Sequence, residues 1–428
     1  MIHFSVSVSD FTAVAQPKSD RASLSLIILL GSLTAFDPLS IDMYLPAFPQ
    51  IGKDLHTGAS MVELSLTSFF IGMTFGQLIY GPLSDHYGRK KPLIAGMGVY
   101  LLASFGCAFS HSIQMLILFR VLQALGGCAG MVIARAIVRD LFDKQRVAHI
   151  FSILMLIMGL APILAPLAGG YLAEYFGWRV IFGALGGFCL VILACSALFL
   201  PETKLATEGR FLFGSTFRTY GELFLDRHFL GYALTGGAIY AGLFAYIAGS
   251  PFVLITLFGV RPENYGWIFG VNALGIIVFS QVNRLLLHKF DSERILRFFV
   301  RASAFFAIGV FIGTFFNHHL YALLVPLFLF TAVNGLIFPN SAATALAHQG
   351  HRAGTASSLM GMLQWAVACL SSFLVSFLHN GTAFPMAGVI LAAGLSGWLI
   401  LLTIARKETP TPRVAVVSKD AELSYDGD

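Results

Sequence analysis

The stretch Gly81-Pro-Leu-Ser-Asp85-His-Tyr-Gly88-Arg89-Lys90-Lys91 lies between two almost wholly apolar runs. Residues 61–83 before it carry a single charge, Glu63, and residues 93–110 after it carry none. Apolar runs of about 17–25 residues, rising 1.5 Å per helical residue, match a hydrocarbon layer about 30 Å thick. The stretch therefore reads as a short charged loop at a membrane face. Gly81 allows a close helix approach, and Gly88 permits a tight turn at positive φ. Asp85 can pair with an arginine or accept from a helix N-terminus. A merely basic loop would account for Arg89 to Lys91 but not for Gly81, Asp85 and Gly88.

The same alternation continues in both directions. Apolar spans fall at 24–47, 61–83, 93–110, 113–134, 149–172 and 179–200, and again at 229–250, 264–285, 297–316, 320–342, 355–378 and 384–404. Of 428 residues, 57% are hydrophobic and 11% charged, with mean hydropathy +0.78. A soluble chain carries about 25% charged residues, so this deficit requires lipid as the main solvent. The 43 glycines and 40 phenylalanines agree, since small residues let membrane helices approach and phenylalanine partitions into lipid. The expected fold is an all-α membrane protein with twelve transmembrane helices. The expected parts are a cytoplasmic tail (1–22), a six-helix bundle (23–200), a cytoplasmic linker (201–228), a second six-helix bundle (229–404) and a cytoplasmic tail (405–428).

Charge sets the expected orientation. Twenty-three of the 27 Lys and Arg fall on one side of this layout; Lys53, Arg179 and Arg261 fall on the other, and Arg120 lies within a span. The positive-inside rule then puts both termini in the cytoplasm. The first 22 residues lack the basic start, short apolar stretch and cleavage site of a signal peptide. The net charge of +5 is spread over short loops, which argues against a nucleic-acid partner. The five cysteines sit in apolar runs without metal-ligand spacing, and no metal site is expected. His56, His111, His318, His319 and His379 read as solvated loop histidines. The chain has no phosphate loop, nucleophile elbow or metalloprotease motif, so neither an enzyme nor a self-contained ATP-driven pump is expected.

A shift of 198 residues lays Gly72 on Gly270, Asp85 on Asn283 and Lys91 on Lys289. This suggests a duplicated bundle with a ligand cavity at the midplane between its halves. The loop around Gly81, Asp85, Gly88 and Arg89 resembles the loop signature of the major facilitator superfamily, Gly-x-x-x-Asp followed by Gly-Arg-Lys. The resemblance implies two pseudo-symmetric six-helix bundles with a charge latch that releases as they rock. Arg120 and Gln123 resemble the superfamily's fourth-helix Arg-x-x-Gln-Gly, with Ala124 where the broader pattern has glycine. The fifth span, Gly159-Leu-Ala-Pro162-Ile-Leu-Ala-Pro166-Leu-Ala-Gly169-Gly170, resembles the motif of proton antiporters. Its prolines remove two helix donors and are expected to bend the helix, and its glycines leave a smooth face.

The first span holds Asp37 and Asp42. Asp42, in Ile-Asp-Met-Tyr44-Leu-Pro, resembles the bicyclomycin/chloramphenicol-resistance (Bcr/CflA) subfamily of drug:proton antiporters. Helix geometry puts Asp37 about 20 Å and Asp42 about 27 Å from the cytoplasmic end, about 140° apart in azimuth, so both cannot point straight into one cavity. Asp37 is the deeper and precedes Pro38; Asp42 matches the subfamily better. If Arg120 faces the cavity, its charge would bias proton release from such a carboxylate. The tenth span around Asn340 and the eleventh around Gln364 also resemble the subfamily. Asn340, Gln364 and Gln123 would orient a small molecule, and Tyr44 and Trp365 would supply an apolar wall.

The function expected from these readings is proton-coupled multidrug efflux, exporting compounds such as bicyclomycin or chloramphenicol. An exporter of an endogenous metabolite or siderophore on the same scaffold is the alternative. The expected setting is a bacterial inner membrane, with lipid, protons and a small molecule as partners, the proton gradient in place of any cofactor, and a monomer as the working unit.

Overall fold

A computed structural model describes residues 24–142, 144–204, 220–316, 319–349 and 353–405. Among them are twelve helices long and apolar enough to cross a membrane: α1 (Ser25–Asp54), α2 (Ala59–Tyr87), α3 (Lys90–Ala108), α4 (Ile113–Leu141), α5 (Ile153–Phe176), α6 (Arg179–Phe199), α7 (Arg227–Leu257), α8 (Pro262–Leu286), α9 (Ser292–Gly313), α10 (Leu320–Leu346), α11 (Thr355–Phe377) and α12 (Phe384–Thr403). The expected tails 1–22 and 406–428, linker residues 205–219 and His318 lie outside the described residues.

Three of these helices are interrupted. In α1 the α-helix stops at Asp42, passes through a 3-10 turn at Leu45–Ala47 and resumes over Phe48–Asp54. Pro46 and Pro49 lack the N–H groups that would bond back to the carbonyls of Asp42 and Leu45, so the break follows directly from the sequence. In α10 the break falls at Val333, where Asn334 Nδ2 donates to the carbonyls of Phe330 (2.8 Å) and Thr331 (3.0 Å). Such side-chain rescue is what permits broken helices at membrane depth. The end of α7 is a π-helical turn, Pro251–Leu257. By contrast, α5 stays helical through Pro162 and Pro166, from Lys144 to Phe176.

The helices form two bundles. In the first, α4 packs against α2 and α3, α6 against α3, and α1 against α4 and α5; in the second, α7 packs against α10, α11 and α12, α9 against α10 and α12, and α8 against α10. Glycine permits the tightest of these approaches. A Cβ on Gly126 of α4 would strike the backbone of Gly96 and Tyr100 on α3. The halves meet along α2–α11 and α5–α8. A six-helix repeat carries α2 onto α8 and α5 onto α11, so the two seams exchange under one pseudo-two-fold rotation.

The residues aligned by the 198-residue shift correspond only in part. Asn283 receives a hydrogen bond from Asn340 at 2.6 Å, joining α8 to α10. In the first half Arg89 joins the end of α2 to α4 through Asp140 (2.7 Å), so an amide pair replaces a charged one. Gly72 faces Ala124 of α4, whereas Gly270 faces Ile163 of α5 across the seam between halves.

One face of the molecule is closed. Side-chain hydrogen bonds cross between halves there: Ser376 Oγ donates to the Ser60 carbonyl (2.6 Å), and Thr67 pairs with Ser372 (2.7 Å). Both lie toward the face opposite the basic loops. There too, Gly170 of α5 abuts the backbone of Pro262 at the start of α8.

Candidate functional site

Asp37 sits in α1 five residues before its first α-helical segment ends at Asp42, and is only 4% exposed. Neither carboxylate oxygen has a hydrogen-bond partner among the described residues. Gly127 of α4 faces it, where a Cβ would stand 3.9 Å from Oδ1. The cation whose field reaches it is Arg135, two helical turns further along α4, and Tyr240 of α7 shares the same electrostatic group from the other half. The carboxylate is thus enclosed without a hydrogen bond, with one guanidinium within reach of its charge.

Asp42 faces elsewhere, as the 140° spacing requires. It lines a cavity of about 170 Å³ between the halves, with Pro162, Tyr246, Phe269, Asn272 and Thr331. The far wall is a polar chain: Asn272 Nδ2 donates to Tyr246 Oη (2.8 Å), and Thr331 donates to Asn272 Oδ1 (3.3 Å). Asp42 forms no ion pair among the described residues and borders the cavity.

The antiporter-like stretch of α5 supports this region directly. A Cβ on Gly169 would collide with the Met43 carbonyl, at the residue after Asp42, and Gly159 lies against Ile277 of α8. Pro162 lines the Asp42 cavity. The smooth face of α5 thus seats both the α1 break and the seam with α8. Pro166 lies on the same continuous helix, and no break marks either proline.

Arg120 is not the partner of the first-span acids. It is 0% exposed, and its Nη1 donates to the Ser40 carbonyl (3.0 Å) and Gln123 Oε1 (2.7 Å). Its guanidinium lies 4.3 Å from the Phe69 ring centroid and 4.6 Å from that of Tyr44. Aromatic faces stabilise such a desolvated cation. Tyr44 and Gln123 are therefore packed into the core of the first half rather than lining a cavity. Tyr44 Oη meets Ser65 (2.6 Å), and Gln123 donates to Ser104 (2.9 Å). Asn340 is likewise committed, to Asn283 and the Leu336 carbonyl.

Trp365 does stand between the halves. Its ring lies 5.8 Å from Phe70 of α2, 5.6 Å from Phe244 and 6.5 Å from Tyr240, both of α7. Its neighbour Gln364 is half-buried on α11.

The loop between α2 and α3 is a charged knot. Arg89 Nε and Nη2 bond the two oxygens of Asp140 (2.7 and 3.3 Å), while Nη1 bonds Asp85 Oδ1 (2.9 Å). Burial works against the Arg89 charge, yet Asp140 and Asp85 together raise its pKa above the usual arginine value. Lys204 adds a second cation on Asp85 (2.8 Å), and Glu202 accepts from the backbone N–H groups of Arg89 (2.6 Å) and Lys90 (3.1 Å). Gly88 takes φ +85°, and any Cβ there would meet the Glu202 carboxylate. Gly81, expected to allow a close approach, has open space around it in this conformation.

These features match known proteins over most of the chain. The Major Facilitator Superfamily model matches residues 30–372. The chain belongs to that superfamily. It is 39% identical to the uncharacterized MFS-type transporter YdgK of Bacillus subtilis, covering 90% of this chain and 97% of YdgK. It is 30% identical to the bicyclomycin resistance protein homolog of Haemophilus influenzae, covering 86% and 92%. These relatives place it in the Bcr/CflA subfamily. Among solved structures, the D-xylose-proton symporter superposes with a TM-score of 0.69 at 13% identity, covering 90% and 98%, which shows the shared fold. As a member of the superfamily the chain is a multi-pass inner-membrane transporter, not an enzyme, working in a lipid bilayer on small molecules.

Several groups in this major facilitator chain escaped sequence reading. Arg135 follows the last apolar residue of the fourth span and reads as part of a basic loop; the helix runs on to Leu141 and leaves it half-buried. Asp140, beside Arg139 in a segment that carries Arg135, Asp143, Lys144 and Arg146, is the sign the sequence offers of a partner for Arg89. His379, expected to be solvated, faces buried Glu63 at 3.4 Å.

Proposed function

We propose that this transporter exports drug-like small molecules in exchange for protons, with Asp37 as the proton carrier. The observation that carries the reading is the buried Asp37 carboxylate, free of hydrogen bonds and opposed only by Arg135. The names of its relatives supply the cargo class. In the proposed orientation the basic face and both termini are cytoplasmic, so the closed face is periplasmic and the conformation described faces inward.

The cycle follows from charge. In the outward-facing form a periplasmic proton neutralises Asp37, which removes its attraction to Arg135 and the cost of a buried anion. The halves rock, the Arg89–Asp140 knot keeps the cytoplasmic ends of α2 and α4 moving as one body, and the proton leaves inward. Substrate enters the cavity edged by Asp42, Tyr246, Phe269 and Asn272 and favours the deprotonated carrier. Each pH unit across the membrane supplies about 1.4 kcal/mol, sufficient for about tenfold accumulation.

Ethidium or chloramphenicol uptake into inverted membrane vesicles tests the reading. Accumulation should collapse on adding a protonophore. Accumulation that ignores the protonophore would sink proton coupling. Absence of either drug's uptake, with a changed metabolite profile in a deletion strain, would favour an endogenous metabolite as cargo.

A further inference from the structure

Glu63 and His379 lie outside the cycle just described, yet they hold the closed face together. Glu63 is in α2 and only 1% exposed, an acid buried inside a span. Such a charge is costly and is kept where it has work to do. Its Oε1 lies 3.4 Å from His379 Nδ1, just beyond the end of α11, while its Oε2 has no hydrogen-bond partner. The two residues therefore face each other across the seam between halves. Ser60–Ser376 and Thr67–Ser372 cross the same seam beside them. A cavity of about 310 Å³, lined by Phe48, Lys53, Val62, Glu63 and Phe252, reaches the carboxylate from this face.

The charged neighbours are few. From α1, exposed Lys53 edges the cavity, and Asp54 is engaged by Arg179 of α6 (3.2 Å). From α7, the Phe252 ring lies 4.4 Å from the imidazole, and α12 brings no ionisable side chain. With His379 neutral, the seam holds a buried carboxylate beside an uncharged ring. With it protonated, the same contact becomes a desolvated ion pair that opening must break.

We propose that Glu63 and His379 form a second proton-binding site, whose occupation locks the two halves together at the face opposite the basic loops. That this face is periplasmic rests on the orientation proposed above; the lock itself does not. A proton arriving there closes the gate behind the one carried by Asp37.

The test is the distance between halves at this face, read by double electron–electron resonance in full-length protein in lipid nanodiscs. Spin labels go on Gly58→Cys and Asn380→Cys, both exposed, with the native cysteines replaced. An Asp37→Asn/Asp42→Asn background removes the first-span carboxylates, so a pH response there arises elsewhere. Lowering pH from about 8 to about 5.5 spans the ordinary histidine range. The closed-to-open ratio should rise about fivefold or more, as coupled sites typically give. His379→Gln and Glu63→Gln should flatten the response, and His379→Lys should hold the closed distance at both pH values, a result misfolding cannot mimic. No pH response in the background, or an undiminished one in His379→Gln, would overturn the proposal. Loss of proton-coupled export elsewhere leaves this readout untouched.

Discussion

Buried Asp37 on α1 and half-buried Arg135 on α4 are electrostatic partners, and neither oxygen of Asp37 accepts a hydrogen bond among the described residues. A fully hydrogen-bonded pair would be fixed in its charged state; this one is free to change state. Arg135→Gln should therefore remove the charge that Asp37 answers to and lower the initial rate of drug-driven proton exchange at least about tenfold, a coupling of about 1.4 kcal/mol. Arg135→Lys should retain part of the rate. Stopped-flow exchange in proteoliposomes checks both.

The Arg89 knot predicts a graded loss of stability. Asp140→Asn removes half of a bidentate contact to a buried guanidinium and should cost about 2–3 kcal/mol. Lys204→Ala touches a half-exposed pair and should cost less than about 1 kcal/mol. Thermal unfolding in detergent should show a clear downward shift in Tm for the first and little for the second.

The glycines of the recognised motifs should not be equal. Gly169→Ala drives a methyl into the Met43 carbonyl and should disturb the α1 break beside Asp42, lowering both Tm and transport. Gly88→Ala meets a positive φ and the Glu202 carboxylate, costing about 1–2 kcal/mol. Gly81→Ala has open space and should leave the Tm of this conformation unchanged.

Asp226 caps α7, accepting from the N–H groups of His228 (3.0 Å) and Phe229 (3.1 Å). Burial alone would raise its pKa, but the Phe229 N–H, Gln349 and the His228 N–H outweigh it and hold it below the usual carboxylate value. A depressed folded pKa contributes stability above the unfolded value, about 3.9, that is lost as pH falls through the folded one. Hydrogen exchange at the start of α7 should therefore quicken below about pH 4, and Asp226→Ala should quicken it at neutral pH too, by about 1 kcal/mol.

The fold was legible because lipid imposes length and apolarity on each span, and because Gly88 and Arg89 sit where a tight charged turn was needed. The α1 break was implicit in Pro46 and Pro49. The site was read less well. Arg120 looked like the coupling cation because it interrupts an apolar run, yet Phe69 and Tyr44 box it in. Arg135 was hidden at a span's end, since hydropathy marks where a helix turns polar and not where it stops. Glu63 and His379, 316 residues apart, meet only through packing of the two halves. No local pattern encodes that meeting.

The central claim, that Asp37 carries the exchanged proton, is tested most directly by proton release on substrate binding. Purified protein in weakly buffered detergent, with a pH-indicating dye, receives ethidium near the midpoint of its pH dependence. The wild type should release up to about one proton per bound ethidium, and Asp37→Asn should bind ethidium while releasing none. Undiminished release from Asp37→Asn would contradict the account.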